Sequence, residues 1–361
     1  MSFLGALWNR IKGRDTVTRR FGVLPEMQVL DDETVGTVFN HDEGYFEVRV
    51  AEHFLKKGRN WHKEYTPLSM VLADFLYDGE VQSFPGLVGP SRLRDNEFLE
   101  GDDDVVFRNI RVLGPAPYRG DGLNLLAGFF RVESRDWAYQ TISLLEGVAK
   151  AFDATKLSQF VTVAEPLTES IDGFLGNDDT QFRLGAQMGF ADPTAGTNHP
   201  FRSGYLVFMR APEDQLDLSD LWVKGGRLHT GPSADDTRPY RDDDFMLLHI
   251  AHLTERSDHE RFDFHADWKK TLKAIYEQGP DAAKPLMRKV VTGIRTSPDL
   301  ISSHRETLSK LYAQKFHREV ERASFESFGP ERVEARTPIS EDDIAHALAH
   351  PEDYAHVSAE I

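Results

Sequence analysis

Histidines and carboxylates crowd the stretch from Asp242 to Asp267, which holds Asp242, Asp243, Asp244, His249, His252, Glu255, Asp258, His259, Asp263, His265 and Asp267. Neutral imidazoles beside carboxylates are a ligand set that zinc and related divalent ions accept, and such a metal could assist hydrolysis. Spacing works against this chemistry. On a helix His249 and His252 would share a face, but on a strand they point to opposite sides, and Phe245 to Leu253 has the composition of a strand. The pair are metal-ligand candidates for a fold-assembled site, and a structural or solvated cluster is the first expectation.

Three further groupings invite chemistry and lack its second half. His62-Lys63-Glu64 matches the metal-binding and proton-shuttling half of the zinc deaminase pattern, whose other half needs two cysteines that this chain does not have. Glu100, Asp102, Asp103 and Asp104 offer hard oxygen ligands, but Gly101 stands in the wrong place for a calcium loop of the EF-hand type. Arg119-Gly120-Asp121 spells an adhesion tripeptide, yet with Gly122 it predicts a tight turn into the following strand. Phosphate-cradling glycine loops, the nucleophile elbow and the His-Glu-x-x-His zinc helix are absent from the sequence. No motif calls for a cofactor.

Composition narrows the classes. The 361 residues are 40% hydrophobic and include 24 Phe, enough for a substantial core. Lys and Arg number 42 against 59 Asp and Glu, and the net charge of -17 opposes binding to nucleic-acid phosphates. With no cysteine, disulfides, thiolate metal sites and cysteine nucleophiles are excluded, and a cytoplasmic setting is expected. No run of 18 apolar residues predicts a membrane-spanning helix.

The first 20 residues differ from the rest. Phe3, Leu4, Leu7, Trp8 and Ile11 fall on one stripe of a 3.6-residue period, which predicts a short amphipathic helix. Arg10, Lys12, Arg14, Arg19 and Arg20 follow the apolar residues, the reverse of a signal peptide's order. These eight positions, Phe3, Leu4, Leu7, Trp8, Ile11, Arg10, Lys12 and Arg14, are candidate contacts for a protein partner's groove or for an anionic membrane surface. Packing on the chain's own core is the alternative.

The elements that would position these residues follow from periodicity. Strand patterns occupy Tyr45 to Val50, Ser69 to Leu76, Glu80 to Val88, Val105 to Leu113 and Leu123 to Val132, with Asp78-Gly79 predicting a hairpin turn. A helical pair is expected near 136–176, opened by Asp136 as N-cap and closed by Gly176. Strands return at Gln181 to Phe190, Gly204 to Met209, Leu221 to Leu228 and Phe245 to Leu253, with a Gly/Pro/Asp-rich loop expected between His229 and Asp244. Helix patterns follow from Ala266 to about Ala323, then an acidic stretch read as a mobile tail. The expected class is α+β: a largely antiparallel β-sandwich over 21–265 with an inserted helical pair, a helical subdomain over 266–323 and a tail over 324–361. The expected function is a non-enzymatic intracellular binding or assembly protein, with a metal-assisted hydrolase or a small-ligand or lipid binder as alternatives. Oligomeric state is not legible.

Overall fold

A computed structural model describes residues 20–56, 59–60, 63–89, 105–133, 157, 180–195, 200–210 and 217–327. Among the described residues it is an α+β arrangement of antiparallel sheets and three α-helices. The strands are β1 (Arg20–Val23), β2 (Tyr45–Leu55), β3 (Arg59–Asn60), β4 (Lys63–Tyr77), β5 (Glu80–Val88), β6 (Val105–Pro117) and β7 (Leu123–Glu133). They continue with β8 (Thr180–Phe190), β9 (Gly204–Met209), β10 (Leu221–Lys224), β11 (Arg227–Ser233), β12 (Asp236–Pro239) and β13 (Phe245–Leu253). Then come α1 (Asp263–Gln278), α2 (Pro280–Thr296) and α3 (Ser302–Ser327). The helical pair expected near 136–176 lies outside the described residues except for Leu157, which is helical and buried. The amphipathic segment of residues 1–19 and the tail beyond 327 lie outside them too.

The first sheet has the order β1-β9-β13-β2-β6, the second runs β3-β4-β7-β8 with β5 also paired to β4, and a small sheet runs β10-β11-β12. One buried cluster draws Phe46, Val48, Leu206, Leu248 and Ile250 from the first sheet together with Leu72, Phe84, Leu126 and Leu184 from the second. A second cluster lies on the other side of the first sheet, where Phe54, Val207 and Leu247 pack with Leu221, Val223 and Leu228 of the small sheet. Strand β2 is therefore buried on both sides along most of its length, and it continues past the Val50 boundary expected from alternation alone, through the buried Ala51, Glu52, His53, Phe54 and Leu55.

Turn chemistry sets the hairpins. Asp78 and Gly79 both take positive φ (52° and 85°), as the two-residue turn between β4 and β5 requires. The single strand expected over Leu221 to Leu228 is instead a hairpin, because Gly225 and Gly226 at φ 59° and 68° reverse the chain between β10 and β11. The loop expected between His229 and Asp244 contains most of β11 and all of β12, paired antiparallel; their polar, Pro-bearing composition belongs to a small sheet with a solvated side.

Gly120, Asp121 and Gly122 form the tight bend into β7, all at positive φ. At Gly122 a Cβ would lie 2.0 Å from the Phe190 carbonyl oxygen, on a backbone with φ 74°. Gly122→Ala is expected to cost about 2 kcal/mol or more by left-handed strain and backbone displacement, read as a lower urea midpoint. A change under about 0.5 kcal/mol would contradict that close approach.

Two compact units divide the chain, Met1–Ala266 with Thr292–Ser309, and Asp267–Val291 with Lys310–Ile361. In the second, Trp268 meets Tyr312 edge-to-face at 5.6 Å, and the Asp267 carboxylate accepts from Lys270 and Lys289. Gly279 at φ 89° ends α1 and Pro280 opens α2, the residue types that helix ends favour there.

Candidate functional site

Strand β1 is the terminal strand of the first sheet among the described residues, paired with β9 alone. Its residues alternate in side. Leu24, just past its end, joins the cluster beneath the small sheet, and Gly22 faces Leu218 on that same side. Phe21 stacks on Phe208 at 6.5 Å and Val23 lines a cleft, both on the side that faces the second sheet. Yet Phe21 remains 50% and Val23 48% exposed. Large apolar side chains at a sheet end, open to solvent beside a cleft, are the type of surface that partners cover.

The cleft has a volume of about 210 Å³. Its walls are Val23, Phe190, Pro200, Leu206 and Ile250, so it opens between the β1–β9 end of the first sheet and the end of β8. Arg202 supplies the charge at its wall, and its guanidinium donates to Glu26 at 3.3 Å, with both side chains well exposed. Cavities that hold drug-sized ligands run from roughly 300 to 1,000 Å³, whereas one of about 150 Å³ holds a benzene ring. On that scale the cleft accepts a single aromatic or branched side chain.

His249 and His252 are on β13 and on opposite sides of the first sheet. His252 packs against Phe39, 5.0 Å between centroids, on the side of the shared core. His249 lies flat on Tyr205, with ring centroids 4.2 Å apart and planes within 4°. Register places Tyr205, His249, Arg49 and Arg111 in one row across β9, β13, β2 and β6. Asp32 Oδ2 lies 3.2 Å from His249 Nε2, although that nitrogen has no aligned hydrogen-bond partner, and Tyr205 Oη donates to the same oxygen at 3.4 Å. Glu47 accepts from Arg49 and Arg111, and Asn109 accepts from Arg49 at 2.8 Å. Apart from His249 Nε2, these polar groups of the row pair with one another or with Asp32. Burial lowers the His249 pKa and Asp32 opposes the shift only in part, so the ring is neutral at pH 7; burial, then Asp32, pushes the Tyr205 hydroxyl up.

The remaining members of the acidic and histidine-rich stretch are dispersed. Asp244 is buried, accepting from Arg183 and from the Lys56 backbone N–H, while Asp242 pairs with Arg238. Asp258 pairs with the buried Arg256. Among the described residues no group of three or more His, Asp or Glu is placed to hold a metal ion. The candidate contacts Phe3, Leu4, Leu7, Trp8, Ile11, Arg10, Lys12 and Arg14 lie outside the described residues, as do His62 and the carboxylates Glu100, Asp102, Asp103 and Asp104.

Phe21 and Val23 were not legible as a site. Their i, i+2 spacing is visible in the sequence, but that pattern marks a half-buried strand, and only the place of β1 in the sheet order leaves them open.

Comparison of the chain with protein-family models and with curated proteins found no match to either. Among the described residues no helix is long and apolar enough to cross a membrane.

Proposed function

We propose that this chain is a non-enzymatic binding or assembly protein of a cytoplasmic setting, which holds protein partners through the amphipathic stripe of its N-terminal segment and the adjoining end of the first sheet. In this reading the two larger sheets form a β-sandwich, and helical insertions and a C-terminal helical subdomain extend the surface. The observation that carries it is the pair of half-exposed side chains, Phe21 and Val23, on a strand that is terminal among the described residues and lies beside a cleft. The stripe from Phe3 to Ile11 precedes that strand in sequence, with eight residues between them. Cleft volume favours a partner's side chain over a small-molecule ligand. A hydrolase built on His249 and His252 draws no support from their opposite placement. A peripheral membrane contact by the basic N-terminal segment is the second use of the same stripe.

The test is affinity capture from the native cell with the full chain and with Leu7→Ser, Trp8→Ser combined. Burial of the two side chains in a partner is worth on the order of 3 kcal/mol, about a hundredfold in affinity. Capture should be lost while the melting temperature stays within about 2 °C. Loss of vesicle binding in place of capture would assign the stripe to membrane. A large drop in melting temperature with capture retained would place it in the protein's own core.

A further inference from the structure

Backbone phase on β1 says what kind of partner the open edge can take. Leu24 N–H donates to the Tyr205 carbonyl at 2.9 Å, and the register continues without a shift as Val23↔Leu206, Gly22↔Val207, Phe21↔Phe208 and Arg20↔Met209. In an antiparallel ladder hydrogen-bonded pairs alternate with non-bonded pairs. Residues 20, 22 and 24 therefore spend their N–H and C=O groups on β9, and those of Phe21 and Val23 point away from it, toward the open edge. The same two residues carry the half-exposed side chains beside the cleft. Hydrogen-bonding edge and cleft thus share Val23.

We propose that the partner is an extended acidic peptide strand, which pairs with the outward backbone groups of Phe21 and Val23 and sets one apolar side chain into the cleft. This rests on the reading of the β1 end as the binding surface. Strand addition of this kind draws affinity from main-chain hydrogen bonds and selectivity from a pocket for alternate side chains. The volume of about 210 Å³ fits one such side chain. Charge chooses the flanks. In sequence Arg20 opens β1 and is preceded by Arg10, Lys12, Arg14 and Arg19, against the single acid Asp15 in the first 20 residues. Arg202 at the cleft is held by an exposed Glu26 that a partner carboxylate can replace, since exposed ion pairs contribute little.

The experiment uses the full chain and a fluorescent eight-residue peptide with alternating Val, one central Phe and Glu at both ends. The expected result is saturable binding, at least tenfold tighter than for the same peptide with Lys ends in low salt, with the gap shrinking in high salt. N-methylation of the peptide should weaken binding at every second position and spare the positions between. Val23→Pro should weaken binding at least tenfold with the melting temperature unchanged, because that N–H lies outside the β1–β9 ladder. Equal binding of Lys-ended peptide, a flat N-methyl scan, or a concentration-dependent dimer that excludes the peptide would overturn the proposal. If no peptide binds yet Val23→Pro still abolishes capture of the native partner, the strand-addition chemistry falls and the binding surface stands. Loss of neither overturns both.

Discussion

Lowering the pH from 7 to 5 is expected to cost this protein about 2 kcal/mol of stability through His53 alone. The residue is on β2 with no exposed surface. Its Nδ1 lies 2.6 Å from Ser69 Oγ, and its ring meets Phe129 edge-on at 3.9 Å between centroids. Burial lowers its pKa from 6.5 to about 3, because taking the ring out of water disfavours its charged form. In the unfolded chain the ring titrates near 6.5. Above that value both states are neutral and the stability is fully present. Below it the unfolded state binds a proton that the native state refuses, so stability falls as the pH drops, down to about 3. His249, His252, His304 and His229 are also shifted down, with desolvation first among the causes, and add smaller losses because each keeps some contact with solvent. Urea unfolding at pH 7, 6, 5 and 4 measures the slope. Replacement by His53→Asn should reduce that slope by up to about 1.4 kcal/mol per pH unit below pH 6, whatever it does to stability at pH 7. An unchanged slope would mean that His53 accepts its proton in the native state.

The second large effect is expected from Glu52→Ala. Glu52 is fully buried on β2, and its carboxylate accepts from the Leu228 backbone N–H at 2.8 Å, from Arg241 at 2.9 Å and from Arg108 at 3.4 Å. One side chain thereby ties the small sheet, through β11 and the chain after β12, to the first sheet. Removing it takes a carboxylate from two guanidinium groups and leaves the Leu228 N–H without its acceptor, a loss of about 3–5 kcal/mol when one partner of a buried pair is deleted. Glu52→Gln keeps an acceptor oxygen of the same reach and should cost roughly half as much. Urea midpoints at constant slope measure both, and hydrogen exchange should show β10, β11 and β12 losing protection first. A cost below about 1 kcal/mol for the alanine variant would mean that the small sheet is held by its apolar contacts alone.

Much of the strand layout was legible because it depends on neighbours in sequence. Asp78-Gly79 dictated a hairpin through positive φ at two adjacent residues, and alternation bounded β9 and β13 at their observed ends, Gly204–Met209 and Phe245–Leu253. The opposite sides of His249 and His252 follow from the period of a strand and were readable once Phe245 to Leu253 was a strand. Even the Gly225-Gly226 turn lay in plain view, although the apolar residues flanking it disguised two short strands as one.

What the sequence could not carry is which distant strands meet. Glu52 finds Leu228 and Arg241 across separations of 176 and 189 residues. Asp299 accepts from the Tyr77 hydroxyl and the Leu157 N–H across separations of 222 and 142 residues. The same holds for the candidate site: the i, i+2 pattern of Phe21 and Val23 is a property of the sequence, but their exposure follows from β1 lying at the end of a five-stranded order. Periodicity is local and sets which residues share a side of a strand. The partner that covers that side, or leaves it open, is decided by pairings between remote segments, whose energy resides in tertiary contacts and in no single stretch of chain.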